Sequence, residues 1–209
     1  MDGKPSNSPN SFIDQMVVPG DVVLDLSSMA NQTIKLGGGL RQESDAISVM
    51  KAGKLKFSRP NKYWVESSQK RYVPCVEDTV LGIVVDSKAE VGSLLYVRVV
   101  KASAGMNPEL SCTDASGKAA EFGLLKDGYM FETSTGLSRM LLSSPTCPVL
   151  EGLGKKLSFE IAVGLNGRVW VNAGSPSTVI LVANAIMNSE SLSNTKQKIM
   201  VEKLLQKFQ

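Results

Sequence analysis

Apolar and polar residues alternate most regularly in the C-terminal half of the chain. Apolar side chains occupy every second position from Leu157 to Val163 and again from Val169 to Val171, and a period of two predicts β-strands. The residues between the two runs are Gly164-Leu165-Asn166-Gly167. An Asn-Gly pair between alternating runs predicts a tight hairpin turn, because both residues tolerate positive φ angles. We therefore expect a β-hairpin here, with Asn166 and Gly167 at positive φ.

Helical spacing of apolar residues appears on both sides of this hairpin. Ser134 is a predicted N-cap of a short helix, and a second short helix or turn is predicted from 149 to 156. Ser175, followed by Pro176 at the first helical position, predicts a longer helix, and a final helix is expected from Asn194 onward. A strand is predicted at 128–133. The resulting order of strand, helix, helix, strand, strand, helix is the βααββα arrangement of a KH domain.

The pattern in the rest of the chain predicts short strands separated by turn residues. Residues 1–15 are rich in Ser, Asn and Pro and predict a mobile tail. Strands expected at 79–85, 94–100 and 109–113 have the composition of an OB-type barrel, but such a barrel needs five strands to close. We therefore predict a mostly β protein with an α+β C-terminal part. Its predicted modules are a small N-terminal β domain (16–74), an incomplete OB-type S1 barrel (75–116) and a KH-type domain with a C-terminal helix (117–209).

Composition narrows the chemistry that this chain can perform. The 209 residues include no histidine, which removes His-based general bases and most zinc sites. Cys75, Cys112 and Cys147 have no Cys-x-x-Cys spacing, so neither a zinc site nor a disulfide framework is expected. The longest apolar run, 178–187, is too short to span a bilayer. The sequence thus predicts a soluble intracellular protein with no cofactor, metal or membrane span, and it disfavours a hydrolase.

Basic residues are most concentrated between positions 51 and 72. Seven Lys or Arg residues occur there against one acid, Glu66, and four aromatic residues lie among them. This composition suits a surface that follows an RNA backbone and stacks its bases. The alternative is that the apolar residues face a core while lysines coat the outside of the strands. The candidate RNA-binding residues, including three cations near the hairpin, are Lys51, Lys54, Lys56, Arg59, Lys62, Arg71, Lys155, Lys156 and Arg168.

Two further motifs allow more than one interpretation. Met50-Lys51 resembles the modified lysine of biotinyl and lipoyl carriers, although Ala52 replaces the usual second methionine. The Gly-x-x-Gly of the hairpin turn could be an RNA clamp, but a KH clamp joins two helices and this one joins two strands. We therefore interpret Gly164, Asn166, Gly167 and Trp170 as a structural motif.

Five short segments, in order, are similar to the S1/KH cap subunits of the RNA exosome. They are Val18-Pro19-Gly20-Asp21, Tyr72-Val73-Pro74 with Asp78-Thr79-Val80-Leu81-Gly82, Asn107-Pro108-Glu109-Leu110-Ser111-Cys112, Phe122-Gly123-Leu124-Leu125, and Gly164-Leu165-Asn166-Gly167 with Trp170. The resemblance implies a non-catalytic cap subunit that binds single-stranded RNA, RNase PH-like ring subunits and other cap subunits. It also implies a role in 3′-to-5′ RNA processing and degradation, including rRNA maturation and mRNA decay, in the nucleus, nucleolus and cytoplasm. A free-standing S1/KH RNA-binding regulator is the alternative.

The chain departs from that family at two places. The segment 143–148 has no glycine where a typical KH domain carries its clamp, so clamp-type RNA binding is not expected. Asp86-Ser87-Lys88-Ala89 runs directly into Glu90, where the family has the second and third strands of the barrel. We therefore expect a shortened isoform, with the edges of the strands at 79–85 and 94–100 unpaired and the S1 region unfolded or loosely packed.

Overall fold

A computed structural model describes residues 12–27, 33–67, 71–86, 91–103, 105–143 and 147–208. The chain forms two compact units, Met1–Ser68 and Gln69–Gln209, called unit 1 and unit 2 below. Within the described residues, no helix combines the length and the apolar composition needed to cross a membrane.

Unit 1 is built from two small β-sheets. One has the strand order β1-β6-β7-β3 and the other β2-β5-β4. The strands are β1 (Met16–Val17), β2 (Val22–Asp25), β3 (Lys35–Leu36), β4 (Leu40–Glu43), β5 (Ala46–Val49), β6 (Gly53–Ser58) and β7 (Lys62–Glu66). Their shared core contains Leu24, Ile47, Leu55 and Val65, each at most 1% exposed. The predicted small β domain is therefore present.

The predicted tail is wrong for its last residues. Phe12 and Ile13 pack against the core of unit 1. The Asp14 N–H donates to the Leu55 carbonyl over 2.8 Å, and the Leu55 N–H donates to the Gln15 carbonyl over 3.0 Å. The prediction rested on the polar composition of residues 1–15. Composition does not show that Phe12 and Ile13 are buried or that the backbone of Asp14 and Gln15 bonds to Leu55. The remaining part of the predicted tail, residues 1–11, lies outside the described residues.

Unit 2 begins with the shortened barrel. Its strands are β8 (Thr79–Ile83), β9 (Leu94–Lys101), β10 (Glu109–Ser111) and β11 (Gly123–Leu125). Strand β9 pairs with β8, β10 and β11, so the predicted unpaired edge at 94–100 is wrong. At the junction where two strands are expected to be missing, β8 and β9 pair directly with each other, and the Gly92 N–H donates to the Val84 carbonyl over 2.8 Å. The facing edges of β8 and β9 are therefore paired.

Strand β11 also corrects the predicted boundary at 116/117. The sequence analysis placed these residues in the KH-type domain. Gly123, Leu124 and Leu125 instead pair with Tyr96, Leu95 and Leu94 of β9. The three-residue strand is too short to show an alternating pattern.

The C-terminal part has the predicted KH order. Its elements are β12 (Tyr129–Glu132), α1 (Thr135–Leu141), α2 (Pro148–Gly154), β13 (Glu160–Gly164), β14 (Arg168–Asn172), α3 (Pro176–Ser189) and α4 (Asn194–Phe208). The sheet order is β12-β14-β13. The hydroxyls of Ser134 and Ser175 accept the predicted capping bonds from Leu137 and Thr178. The predicted start of the hairpin at Leu157 is wrong, because its N–H donates to the Leu153 carbonyl after α2 and the strand begins at Glu160.

The shortened barrel and the KH sheet share a hydrophobic cluster. Leu81 of β8 and Tyr96 of β9 form this cluster with Ala162 of β13 and Trp170 of β14. All four side chains are at most 8% exposed. Each part therefore buries apolar surface of the other, which accounts for their forming one compact unit.

Candidate nucleic-acid interface

The outer face of the β1-β6-β7-β3 sheet carries three of the seven cations of the predicted basic window. Side chains of paired residues point to the same side of a sheet. Lys54 pairs with Glu66, Lys56 with Trp64, and Ser58 with Lys62. On the next strand, Lys35 lies beside Lys62. We call this surface the basic face and define it by Lys35, Lys54, Lys56, Lys62 and Trp64.

The intervening residues of the same strands face the core. Leu55, Tyr63 and Val65 are buried, and Phe57 packs partly against them. The interpretation of apolar residues inside and lysines outside is therefore confirmed for β6 and β7. It does not exclude RNA binding, since the same alternation places Trp64 among the lysines.

Acidic side chains neutralise one end of the basic face. The Nζ atom of Lys56 lies 2.7 Å from Asp14 Oδ1 and 3.8 Å from Glu66 Oε2. The Lys54 Nζ atom lies 3.9 Å from the same Asp14 oxygen. The hydrogen bond between Lys56 and Asp14 lowers the pKa of the Asp14 carboxyl and raises the pKa of the Lys56 ammonium. Lys54 and Lys56 are therefore partly compensated before any ligand binds.

The opposite end is the more basic one. Lys35, Lys62 and Arg59 are exposed, and no acidic partner of theirs occurs among the described residues. Arg59 lies in the turn between β6 and β7. The charge of these three cations is therefore available to phosphates.

Lys51 is not displayed as a carrier lysine would be. It lies between β5 and β6 and is half-buried. Its Cε atom would be only 2.6 Å from a Cβ atom added at Gly39. The side chain thus lies against the backbone at Gly39, which does not suit an acceptor of a covalent prosthetic group.

The predicted cations of unit 2 do not form one surface with each other. Lys155 pairs with Glu151 on its own helix over 2.8 Å, and Arg168 lies 3.7 Å from Glu132 of β12. Lys156 follows the same helix, whereas Arg71 lies at the beginning of the unit, before β8. Two of these four cations are thus already paired with acids.

The Gly-Leu-Asn-Gly turn joins the KH hairpin to the barrel. The Leu165 N–H donates to the Thr79 carbonyl over 2.8 Å. The Asn166 amide donates from Nδ2 to the Leu81 carbonyl over 2.8 Å, and its Oδ1 atom accepts from the Leu81 N–H over 3.3 Å. One asparagine side chain thereby bonds the outer edge of β8 as a neighbouring strand would.

The turn geometry differs from the prediction at one residue. Gly167 has a φ of +82° as expected, but Asn166 is not among the residues with positive φ. The conformation that Asn166 adopts holds its amide against Leu81. This tertiary contact could not be read from the Asn-Gly pair.

Trp170 has a structural position in the same hairpin. Its ring is 5% exposed, and its Nε1–H donates to the Asp127 carbonyl over 2.8 Å. It is therefore unavailable for base stacking.

Two further places in unit 2 give no support for an anion site among the described residues. Of the segment at the usual clamp position, residues 144–146 lie outside the described residues. An apolar groove of about 450 Å³ lies between β12 and α3, lined by Tyr129, Val179, Ile180 and Met187, and none of its lining residues is charged. The described residues hold no group of three or more metal-ligating side chains, and the three cysteines are free thiols.

Two residues of the basic face, Lys35 and Trp64, are absent from the RNA-binding residues predicted from the sequence. Lys35 lies far from the basic window along the chain and joins it only through the parallel pairing of β3 with β7. Trp64 was noted as one aromatic residue among four, and its outward direction follows from the register of β6 with β7. The signal for Trp64 was present, because Tyr63 and Val65 alternate with it.

Three family models match this chain in succession. Residues 34–71 match the model described as exosome complex exonuclease Rrp40 N-terminal domain. Residues 87–123 match exosome complex component RRP40, S1 domain, and residues 128–177 match a KH domain. The order is the one expected from the sequence.

Similar proteins cover nearly the same length. The rrp40 exosome component of Dictyostelium discoideum is 39% identical over 87% of this chain and 88% of its own. Exosome complex component RRP40 of Drosophila melanogaster is 36% identical over 84% and 89%. Its counterpart in Schizosaccharomyces pombe is 36% identical over 91% and 94%, in an alignment of 231 residues. Since this chain has 209 residues, that alignment contains positions for which it has none.

A solved structure shares the fold. The crystal structure of an exosome complex RNA-binding protein superposes with a TM-score of 0.53 at 15% identity, covering 66% of this chain and 99% of that one. At this identity the likeness concerns the fold alone.

Proposed function

The chain belongs to the RRP40 family of exosome complex components, and from that premise we propose that it is a non-catalytic, RNA-binding cap subunit of the exosome. The observation that carries the proposal is the similarity across all three modules at 36–39% identity to relatives named as exosome components. In this role it supports 3′-to-5′ RNA processing and degradation, including rRNA maturation and mRNA decay.

The non-catalytic part of the proposal rests on the type of module and on composition. S1 and KH domains bind RNA through surfaces and loops rather than through reacting side chains. The sequence has no histidine to act as a general base. The word exonuclease in the description of one family model then refers to the complex in which the subunit works.

The proposed partners are RNase PH-like ring subunits, other cap subunits and single-stranded RNA. The proposed location follows the complex: nucleus and nucleolus, and also the cytoplasm. Support for RNA comes from the basic face, where cations and an aromatic side chain occur together.

Purification from native extract tests the assignment against a free-standing RNA-binding regulator. A tagged chain should co-purify with the ring subunits and elute in an assembly of several hundred kilodaltons, judged roughly from a ring of domain-sized subunits. A parallel chain that carries the two absent S1 strands serves as the control for the shortened barrel. If this chain elutes alone while the control assembles, the cap role belongs to the longer form and not to this one.

A further inference from the structure

We propose that the basic face of unit 1 is a binding site for single-stranded RNA, in which a base stacks on Trp64 and the phosphates lie on Lys62, Lys35 and the neighbouring Arg59. The choice of RNA as ligand rests on the proposed function. The site itself rests on the sheet register and on the distribution of charge.

Trp64 occupies the centre of the basic face. Lys56 stands beside it on β6, and Glu66 and Lys62 lie two residues away along β7, about 7 Å on either side. On its remaining flank the neighbouring residue is Gly37, where an added Cβ atom would lie 2.8 Å from Trp64 Cβ. Gly37 itself places no side chain on that flank, so a base can approach the ring from the β3 side.

The charge around Trp64 suits a nucleic-acid strand that runs from Trp64 toward the turn between β6 and β7. Lys62 and Lys35 are neighbours across β7 and β3, and Arg59 lies in the turn beyond them. Asp14 and Glu66 instead neutralise the Lys54 end of the same face. We therefore expect the strand to follow the side of Lys62 and to leave Lys54 largely uninvolved.

Single-stranded nucleic acid is the ligand that uses both features of this face. Bases stack on aromatic rings whatever their identity, and phosphates need only nearby cations. A duplex would keep its bases stacked inside and could not use Trp64. We thus expect little base preference and an affinity that falls with salt.

Tryptophan fluorescence reports on the site directly. The chain has two tryptophans, and Trp170 is 5% exposed with its N–H bonded to Asp127. Titration of the full chain with an oligouridylate of about ten nucleotides should therefore quench the emission of Trp64 and leave that of Trp170. Trp64→Phe should abolish the quenching while keeping an aromatic platform. Absence of quenching in the unaltered chain under conditions where a labelled oligonucleotide binds would overturn the proposal.

Substitutions then separate stacking from charge. Trp64→Ala should weaken oligouridylate binding about five- to hundredfold, the range for loss of one base–aromatic stack. Trp64→Phe should remain within a few-fold of the unaltered chain, and it keeps the test valid if the alanine variant folds poorly. Equal affinity of Trp64→Ala and the unaltered chain would contradict the stacking role.

A matched pair of double substitutions tests the cations. Lys35→Gln with Lys62→Gln should weaken binding and reduce the slope of log affinity against log salt by roughly 1.4, since each lost contact to a single strand removes about 0.7. Lys196→Gln with Lys203→Gln removes the same charge from exposed positions of α4 and should change neither quantity by as much. Asp14→Asn should raise the affinity up to about fivefold, because it frees Lys56. Equal losses in the two double variants would show a diffuse charge effect and contradict the site.

The same variants distinguish this proposal from the proposed function. If Trp64→Ala leaves RNA affinity unchanged but releases the chain from co-purified subunits, the basic face is a protein contact and the RNA site is wrong. If the unaltered chain co-purifies with the ring yet binds no oligouridylate at low salt, the cap role stands and this site fails. If it neither binds RNA nor co-purifies, the proposed function fails as well.

Discussion

At the scale of single residues, the two glycines of the Gly-Leu-Asn-Gly turn have different requirements. Gly167 has a φ of +82°, and a Cβ atom there would lie 2.6 Å from the Thr133 carbonyl oxygen. Gly164 has an ordinary φ but lies against the backbone of β8, where a Cβ atom would be 2.7 Å from the Leu81 nitrogen. Conformation and close approach therefore both require glycine at 167, whereas close approach alone requires it at 164.

We expect Gly167→Ala to lower the free energy of unfolding of unit 2 by about 2–4 kcal/mol, because left-handed strain and a backbone clash add together. Chemical denaturation monitored by Trp170 fluorescence measures this. Gly154→Ala is the matched control, since Gly154 ends helix α2 in open space with no positive φ. The control should be neutral or stabilising by up to about 1 kcal/mol. A Gly167→Ala chain as stable as the Gly154→Ala chain would contradict the structural role of the turn.

At the scale of elements, the exposed edge that the shortened barrel predicts is covered by the KH hairpin. Strand β8 has β9 on one side, and its other side carries the backbone groups of Thr79 and Leu81. These groups bond to Leu165 and to the Asn166 amide. An amide side chain can replace a strand here because it offers one donor and one acceptor, as a peptide group does. The same edge stays less protected beyond Leu81, where Ile83 is 41% exposed.

Asn166→Ala should uncover that edge. We expect the Leu81 amide hydrogen to exchange with solvent markedly faster, and the free energy of unfolding to fall by about 1–3 kcal/mol, because the partly buried backbone groups lose their partners. Hydrogen exchange followed by mass spectrometry or NMR measures the first effect. Asn184→Ala, at an exposed position of α3, is the control and should leave Leu81 unaffected. Unchanged exchange at Leu81 in the Asn166 variant would show that the side chain is dispensable.

At the scale of the whole molecule, the shortened barrel is stabilised by the KH sheet rather than by its own closure. Leu81 and Tyr96 complete their burial against Ala162 and Trp170. Arg98, whose side chain is 13% exposed, adds a second constraint. Its guanidinium donates to the carbonyls of Thr113 and Asp114 over 3.1 Å each. A sheet too small to form an independent core can thus persist as part of a larger unit.

Truncation tests this dependence. A chain of residues 71–209 should unfold in one cooperative transition with the same midpoint as unit 2 of the full chain. A chain of residues 126–209 should lose about 3 kcal/mol or more, because Trp170 and Ala162 lose the apolar cover of Leu81 and Tyr96. In both fragments Trp170 is the single tryptophan, so urea denaturation followed by its fluorescence is unambiguous. Equal midpoints for the two fragments would mean that the barrel contributes nothing to the stability of the KH part.

Local signals in the sequence determined much of the secondary structure of this protein. The capping serines 134 and 175, the hairpin around Gly167 and the outward lysines of β6 all follow from short-range rules, since caps, turns and alternation depend on neighbours along the chain. The ordered set of motifs likewise indicated the family before any fold was known.

Tertiary structure alone decided the contacts between distant segments. It brought Lys35 beside Lys62, paired Lys56 with Asp14, and placed the Asn166 amide against Leu81. It also closed β8 onto β9 where strands are missing. Each of these contacts depends on the strand register and on which surfaces pack against one another. Neither the register nor the packing can be derived from the residues of one segment alone. The sequence therefore indicated the family and the modules, whereas the position of the proposed RNA site and the survival of the shortened barrel follow from packing.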